Sequence, residues 1–122
     1  MKIEQLQNHT REWREKNFPE EHRTAQMQLM GVVEEVGELA HALLKMEQGI
    51  RGSREYHMGR IEDAIGDVTI YLCGLATALE IDMDAAIWRA WSEVRDRDWT
   101  KNKETGYVGG TGTFQEDEQG AA

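Results

Sequence analysis

A chain of 122 residues, of which 39% are hydrophobic and 30% charged, has room for one globular domain and excludes a second hydrophobic core. The formal net charge of −9 disfavours a nucleic-acid partner, which would need a basic face, although a bound divalent metal can reverse the local field for a phosphorylated substrate. No apolar stretch approaches the roughly 20 residues of a membrane span, and the sequence starts without a signal-peptide core. We therefore expect a cytoplasmic protein with no membrane partner.

The single proline, Pro19, separates the first two predicted helices. The first helix ends at Asn17, and its packing residues recur at helical spacing; they are Ile3, Leu6, Thr10 and Trp13. The second helix is predicted over residues 21–48, and its broad apolar face should lie in the core. That face consists of Leu29, Met30, Val33, Val36, Ala40, Leu43 and Leu44.

A third helix is predicted over residues 54–80, and a fourth begins after the N-cap residue Asp82. The residues of the third helix that should face the core are Ile61, Ala64, Ile65, Val68, Leu72, Leu75 and Leu79. No segment before residue 105 shows the alternating pattern of a strand. We therefore predict an all-α fold, a four-helix bundle that assembles as an oligomer because its own core is thin.

From Thr105 onward the sequence is rich in glycine and ends in an acidic cluster. Such a composition predicts a mobile tail over residues 105–122, which follows a helical domain over residues 1–104. The glycines of this segment do not form a phosphate-binding loop, because no strand precedes them and no helix follows.

Acidic residues occupy positions close to the predicted apolar faces, where a helix normally tolerates none. In the second helix they are Glu34, Glu35 and Glu38, which lie on adjoining rows of the helix surface. In the third helix Asp63 and Asp67 are one turn apart. Like charges at these spacings repel each other, and burial raises the penalty. The pattern therefore predicts a cation between the two helices.

Carboxylate oxygens prefer hard cations, so the expected cofactor is Mg²⁺, with Mn²⁺ as a substitute. A single Mg²⁺ usually takes one or two protein carboxylates, and four or five carboxylates therefore indicate two or more ions. Gly37 and Gly66 each precede an acid of the set. We interpret the two glycines as positions where the helices approach each other and leave space for metal and phosphate, or where they simply pack closely.

The motif Glu35-Val-Gly-Glu38, within EEVGELAHALLK, resembles the ExxE signature of the MazG-like all-α NTP pyrophosphatase superfamily. The second signature of that family, ExxD, is altered here. Asp67 matches its final acid, but Ala64 stands three residues earlier and Asp63 four. Four residues are also one helical turn, so Asp63 can reach the same metal ion.

The resemblance extends over residues 13–106, and it implies hydrolysis of an NTP or dNTP between the α and β phosphates. It implies that metal ions bind to Glu34, Glu35, Glu38 and Asp67, with Asp63 as a further ligand. One of the catalytic glutamates, Glu35 or Glu38, would orient or deprotonate the attacking water. The segment EVRDRDWTKNKETG resembles the phage branch of the family. This resemblance adds dGTP as a candidate substrate and the host cytoplasm as the location. The family as a whole implies a homodimer or a homotetramer.

Further residues are candidates for the phosphates and the base. Basic side chains bind phosphate oxygens well, although such residues also favour helix C-termini for electrostatic reasons; the candidates are Lys45, Arg97 and Lys101. Residues at the end of the first helix can bind a nucleobase, the aromatic rings by stacking on it and the side-chain amide by hydrogen bonds. The candidates there are Trp13, Asn17 and Phe18, with core packing as the alternative role of Trp13.

Two other classes of protein remain open from the sequence. Glu38 and His41 have the Glu-x-x-His spacing of di-iron carboxylate bundles, but that fold needs a second copy, which is absent from this chain. A non-catalytic helical interaction protein would carry the same acids as a solvated face, and it would tolerate their replacement by alanine. Iron content would identify the first class, and retained function after such replacement would identify the second.

Overall fold

The computed structural model describes residues 1–109, and within that range the chain forms four α-helices and no β-strand. This confirms the predicted all-α class. A short 3₁₀ helix at Glu20–His22 separates the first two helices. The α-helices are α1 (Ile3–Asn17), α2 (Ala25–Gln48), α3 (Arg54–Ala78) and α4 (Met83–Val94).

The second helix begins four residues later than the sequence predicted. The Thr24 hydroxyl accepts a hydrogen bond of 3.2 Å from the backbone N–H of Met27, and this N-cap sets the start of α2. Glu21 and His22, predicted as the first two residues of α2, belong to the 3₁₀ helix instead. At its other end α2 stops at Gly49, whose φ of 68° is the left-handed conformation that glycine adopts without strain.

The caps of the other two helices follow the sequence closely. The Ser53 hydroxyl accepts a hydrogen bond of 3.1 Å from the N–H of Tyr56 at the start of α3. The predicted N-cap Asp82 accepts one of 3.2 Å from the N–H of Ala85 at the start of α4. Polar side chains at these positions satisfy backbone donors that have no partner within the helix.

The described chain divides into two compact units. The first, Met1–Ile81, contains α1, α2 and α3, and the second begins at Asp82 and contains α4. In the first unit α3 packs against both α2 and α1. None of the helices in residues 1–109 is by itself long and apolar enough to cross a membrane, although α3 and α4 taken together pass that test on length and composition.

The hydrophobic core is built from small side chains, and the predicted apolar face of α2 does not take part in it. The buried hydrophobic residues are Ala42, Ala64, Cys73 and Ala76. Met30 and Val33 are 62% and 64% exposed, so their placement in the chain's own core was wrong. The buried residues of α2 are instead Gln28, Gly31 and Ala42. Gly31 and Ala42 are small and permit close contact between helix backbones, while the large apolar residues lie to the side.

The prediction for α3 was wrong in the same way at three positions. Ile65, Leu72 and Leu79 were expected in the core, but all three are exposed. Ala64 is buried as expected. Helical spacing correctly identifies an apolar stripe, but it does not show which part of a wide stripe meets the neighbouring helix.

Close helix packing occurs at glycines other than those predicted. A Cβ on Gly31 would lie 2.2 Å from Cε1 of Tyr71, and one on Gly74 would lie 2.2 Å from Oε1 of Gln28. Gly37 and Gly66 have no neighbouring atom within 4 Å of such a Cβ. The interpretation that these two glycines bring the helices together was therefore wrong, and both face open space.

Gly37→Ala should stabilise the protein by up to about 1 kcal/mol, because alanine is the better helix former and has room at this position. Gly31→Ala should instead destabilise it by about 1–3 kcal/mol, because the methyl group would overlap the Tyr71 ring. Chemical denaturation of both variants measures the two free energies of unfolding. A loss of stability in Gly37→Ala would show that this position is packed.

Candidate functional site

The two helices that carry the acidic residues run antiparallel. Gly31 of α2 lies against Tyr71 of α3, and Gln28 lies against Gly74, so positions advance along α2 as they recede along α3. Continued one turn further along α2 from Gly31, the same register places Glu35 opposite Asp67 of α3.

The five predicted metal ligands form one electrostatic group, which we call the acidic cluster: Glu34, Glu35, Glu38, Asp63 and Asp67. Burial raises the pKa of Glu35, and the charges of Glu38, Asp67 and Glu34 raise it further. Burial also raises the pKa of Asp67, with additional repulsion from Asp63 and Glu38. Carboxylates on two different helices therefore act on each other electrostatically. Their role as metal ligands stays a prediction.

The charges of the acidic cluster are not compensated within the described part of the chain. The ion pairs found in residues 1–109 involve other acids. Oε2 of Glu35 is buried and has no hydrogen-bond partner, which is a costly state for a carboxylate oxygen. In charge and donor type the cluster suits a hard cation, although no three His, Cys, Asp or Glu side chains of residues 1–109 stand in metal-ligand geometry.

A cavity of about 660 Å³ in the first unit brings two members of the acidic cluster together with aromatic side chains. Glu35 and Asp67 line it, and so do Trp13, Phe18 and His22. The rings of Trp13 and Phe18 meet edge to face, with their centroids 5.7 Å apart. Trp13 is 53% exposed, so the core-packing alternative for this residue was wrong. The volume is in the range of small-molecule binding sites.

Five predicted site residues of the first unit do not line the cavity. They are Glu34, Glu38 and Asp63 of the acidic cluster, together with Asn17 and Lys45. The side-chain amide of Asn17 donates a hydrogen bond of 2.8 Å to the backbone carbonyl of Trp13. The ammonium group of Lys45 donates one of 3.1 Å to the side chain of Gln48, one turn further along α2. The base-binding role of Asn17 and the phosphate-binding role of Lys45 stay predictions.

Arg97 and Lys101, the other two candidates for phosphate binding, belong to the second unit. The guanidinium of Arg97 donates a hydrogen bond of 2.8 Å to the carboxylate of Glu93 and lies 5.4 Å from the ring centroid of Tyr107. The Lys101 side chain is exposed. Their phosphate-binding role also stays a prediction.

The start of the predicted tail is described, and it forms hydrogen bonds within the second unit. The hydroxyl of Tyr107 donates to the carboxylate of Glu93 at 3.1 Å, and the side-chain amide of Asn102 donates to the Tyr107 carbonyl at 2.9 Å. Residues 110–122 of the predicted tail lie outside the described residues.

Sequence reasoning missed two buried polar residues of the cavity wall, Arg14 and Gln28. A signal for Arg14 was present, because Leu6, Thr10 and Arg14 follow one another at intervals of four, which places the arginine on the packed stripe of α1. Gln28 adjoins Leu29 at the edge of the apolar stretch of α2, and no spacing rule distinguishes it from a solvated glutamine.

Comparisons with protein-family models, with curated proteins and with solved structures found no match.

Proposed function

We propose that this chain is a metal-dependent nucleoside triphosphate pyrophosphohydrolase, which converts an NTP or dNTP and water to the monophosphate and diphosphate. One observation carries the proposal: the uncompensated carboxylates Glu35 and Asp67 line the same cavity as the aromatic rings of Trp13 and Phe18. A nucleotide has the matching chemistry, since its phosphates bind metal ions and its base stacks on aromatic rings. The resemblance of the Glu35–Glu38 motif to the MazG-like superfamily supplies the bond that is cleaved.

In this proposal Mg²⁺, or Mn²⁺ in its place, is held in two or more copies by the acidic cluster defined above. Bound ions would neutralise phosphate charge and lower the pKa of a coordinated water. Glu35 is the best placed of the cluster to orient the attacking water and accept its proton, because its Oε2 is buried in the first unit without a partner. The water oxygen forms the new bond to the α phosphorus, and the α–β bridging oxygen leaves with diphosphate.

The exposed apolar residues of α2 support the proposed homodimer or homotetramer. Met30, Val33 and Leu44 are each at least half exposed, and large exposed apolar areas are typical of surfaces that associate. If the interface were two-fold symmetric, this face of α2 on each molecule would be covered by the same face of the second copy.

Release of diphosphate from a panel of NTPs and dNTPs, measured with Mg²⁺, with Mn²⁺ and with EDTA, tests the proposal. The expected result is metal-dependent formation of monophosphate and diphosphate in equal amounts, and the preferred substrate shows whether dGTP is favoured. Orthophosphate as the first product would contradict cleavage between the α and β phosphates. No turnover of any nucleotide would overturn the proposal, and the iron content of the purified protein would then be the next measurement.

A further inference from the structure

Two buried polar side chains of the cavity wall have no use in the proposed chemistry. Arg14 of α1 is 6% exposed and Gln28 of α2 is 4% exposed, and both line the cavity. Nη2 of Arg14 donates a hydrogen bond to the backbone carbonyl of Ile70. Nη1 of Arg14 and Oε1 of Gln28 are buried and have no hydrogen-bond partner among the described residues.

These two side chains, which we call the base-edge pair, lie next to each other beside Gly74 of α3. A Cβ on Gly74 would lie 2.2 Å from Oε1 of Gln28 and 2.6 Å from Cζ of Arg14, so any larger residue there would displace them. One member offers only donors and the other offers an acceptor, yet they are not bonded to each other through Nη1 and Oε1. A buried donor and a buried acceptor left open side by side are destabilising unless an ordered water or a ligand engages both.

The base-edge pair lies at a definite distance from the acidic cluster. Gln28 precedes Glu35 by seven residues on α2, and Gly74 follows Asp67 by seven residues on α3. At 1.5 Å per residue, each pair of positions is separated by about 10 Å along its helix. Arg14, Gln28, Glu35 and Asp67 all line the same cavity. A nucleotide whose phosphates lie at the acidic cluster can therefore extend along α2 and α3 toward Arg14 and Gln28.

We propose that Arg14 and Gln28 recognise the hydrogen-bonding edge of the nucleobase and select a keto base, in which a carbonyl group adjoins a ring N–H. Such bases include guanine, hypoxanthine and uracil. Nη1 of Arg14 donates to the carbonyl oxygen, and the ring N–H donates to Oε1 of Gln28. In the same pose, adenine or cytosine sets an amino donor against the guanidinium, and these two donors cannot pair. The bare ring nitrogen pairs with Gln28 only if the glutamine amide rotates to present its NH₂ group. This inference rests on the proposed function, since it takes the phosphates to lie at the acidic cluster.

The neighbouring side chains are consistent with a base in this position. Trp13 and Phe18 line the same cavity and present aromatic faces or edges on which any base can stack. Stacking does not distinguish one base from another, whereas a paired donor and acceptor do. Discrimination is therefore assigned to the base-edge pair, and general affinity to the rings. Nη1 and Oε1 are shielded from solvent in the structure, so recognition by this pair requires both side chains to move toward the cavity when the base enters.

The test compares inosine triphosphate with adenosine triphosphate, which differ only at the base edge in question. The ratio of their kcat/KM values should favour inosine triphosphate by about 10- to 100-fold in the wild type. Arg14→Met and Gln28→Met should each bring the ratio close to one. Arg11→Met and Gln26→Met are matched controls on the same two helices; neither residue lines the cavity, and both variants should keep the wild-type ratio.

A purely structural role of Arg14 and Gln28 would lower stability and turnover for both substrates together, and the ratio would then stay unchanged in the variants. That result would overturn the inference, as would a wild type that prefers adenosine triphosphate or does not discriminate. Titration calorimetry with inosine and adenosine in EDTA needs neither metal nor turnover, and it should show tighter binding of inosine. If nucleosides are distinguished while no nucleotide is hydrolysed, the base-edge pair stands and the proposed reaction falls. If hydrolysis occurs without discrimination, the reverse holds.

Discussion

Asp67→Asn should lower kcat by about a thousandfold for every nucleotide that the wild type hydrolyses. The aspartate lies in the acidic cluster and lines the cavity, and its amide replacement removes a negative charge that a divalent ion needs. Loss of metal-assisted catalysis is worth several kcal/mol, and each 1.36 kcal/mol is a factor of ten in rate. The measurement is steady-state diphosphate release at saturating Mg²⁺, with circular dichroism to show that the helices are retained.

Glu38→Gln should have a similar effect, because Glu38 acts electrostatically on both Glu35 and Asp67. Glu62→Gln is the matched control, since Glu62 is an exposed acid on the same helix as Asp67 and does not act on either of the two perturbed carboxyls. The control should retain full activity. If Asp67→Asn and Glu38→Gln also retain activity, the acidic cluster is a solvated face and the assignment of metal ligands is wrong.

Glu35→Gln should abolish turnover and at the same time raise the thermal stability of the protein in EDTA. The substitution removes repulsion from three neighbouring carboxylates, at about 0.2–0.5 kcal/mol for each like-charged pair. The sum is about 1 kcal/mol, which corresponds to roughly 4 °C in Tm for a chain of this length. With Mg²⁺ present the difference should shrink or reverse, because binding of the ion stabilises the wild type.

The pH dependence of this difference has a definite sign. Burial and neighbouring charges raise the pKa of Glu35, so the folded protein binds a proton there more tightly than the unfolded chain does. In EDTA the wild type should therefore gain stability relative to Glu35→Gln as the pH falls from neutral through that raised pKa. The gain should be complete below the ordinary pKa of a glutamate. Differential scanning fluorimetry of both proteins at each pH measures the difference in Tm, and a wild type more stable at every pH in EDTA would contradict the argument.

Local signals in the sequence identified the four helices and several of their ends. Pro19 ended the first helix where predicted, and Asp82 capped the fourth. The start of α2 was missed because Thr24 competes with earlier positions for the N-cap, and only the completed hydrogen bond to Met27 shows which cap is used. The acidic cluster was also predictable, since charges one turn apart beside hydrophobic residues conflict with burial in any helical arrangement.

What could not be predicted depends on how the helices meet. Periodicity placed Val33 on an apolar stripe, but the contact with α3 is made by Gly31 instead. The same limitation concealed the base-edge pair, because a buried arginine and a buried glutamine become recognisable only when α1, α2 and α3 are packed around the cavity. Gly37 and Gly66 adjoin acids, which is why the sequence predicted close contacts there, whereas the glycines at the actual contacts, Gly31 and Gly74, have no acidic neighbour.

The antiparallel register of α2 and α3 has a consequence for how such a protein can change over generations. The acidic cluster lies on these two helices, and Gln28 of the base-edge pair lies on α2 beside Gly74 of α3, seven residues from Glu35 and from Asp67 respectively. One residue inserted or deleted between Gln28 and Glu35 would turn one site relative to the other by about 100° and separate both from their partners on α3. Under the proposed function, substrate preference can diverge by replacing side chains at positions 14 and 28, whereas the length of this helical segment is held constant.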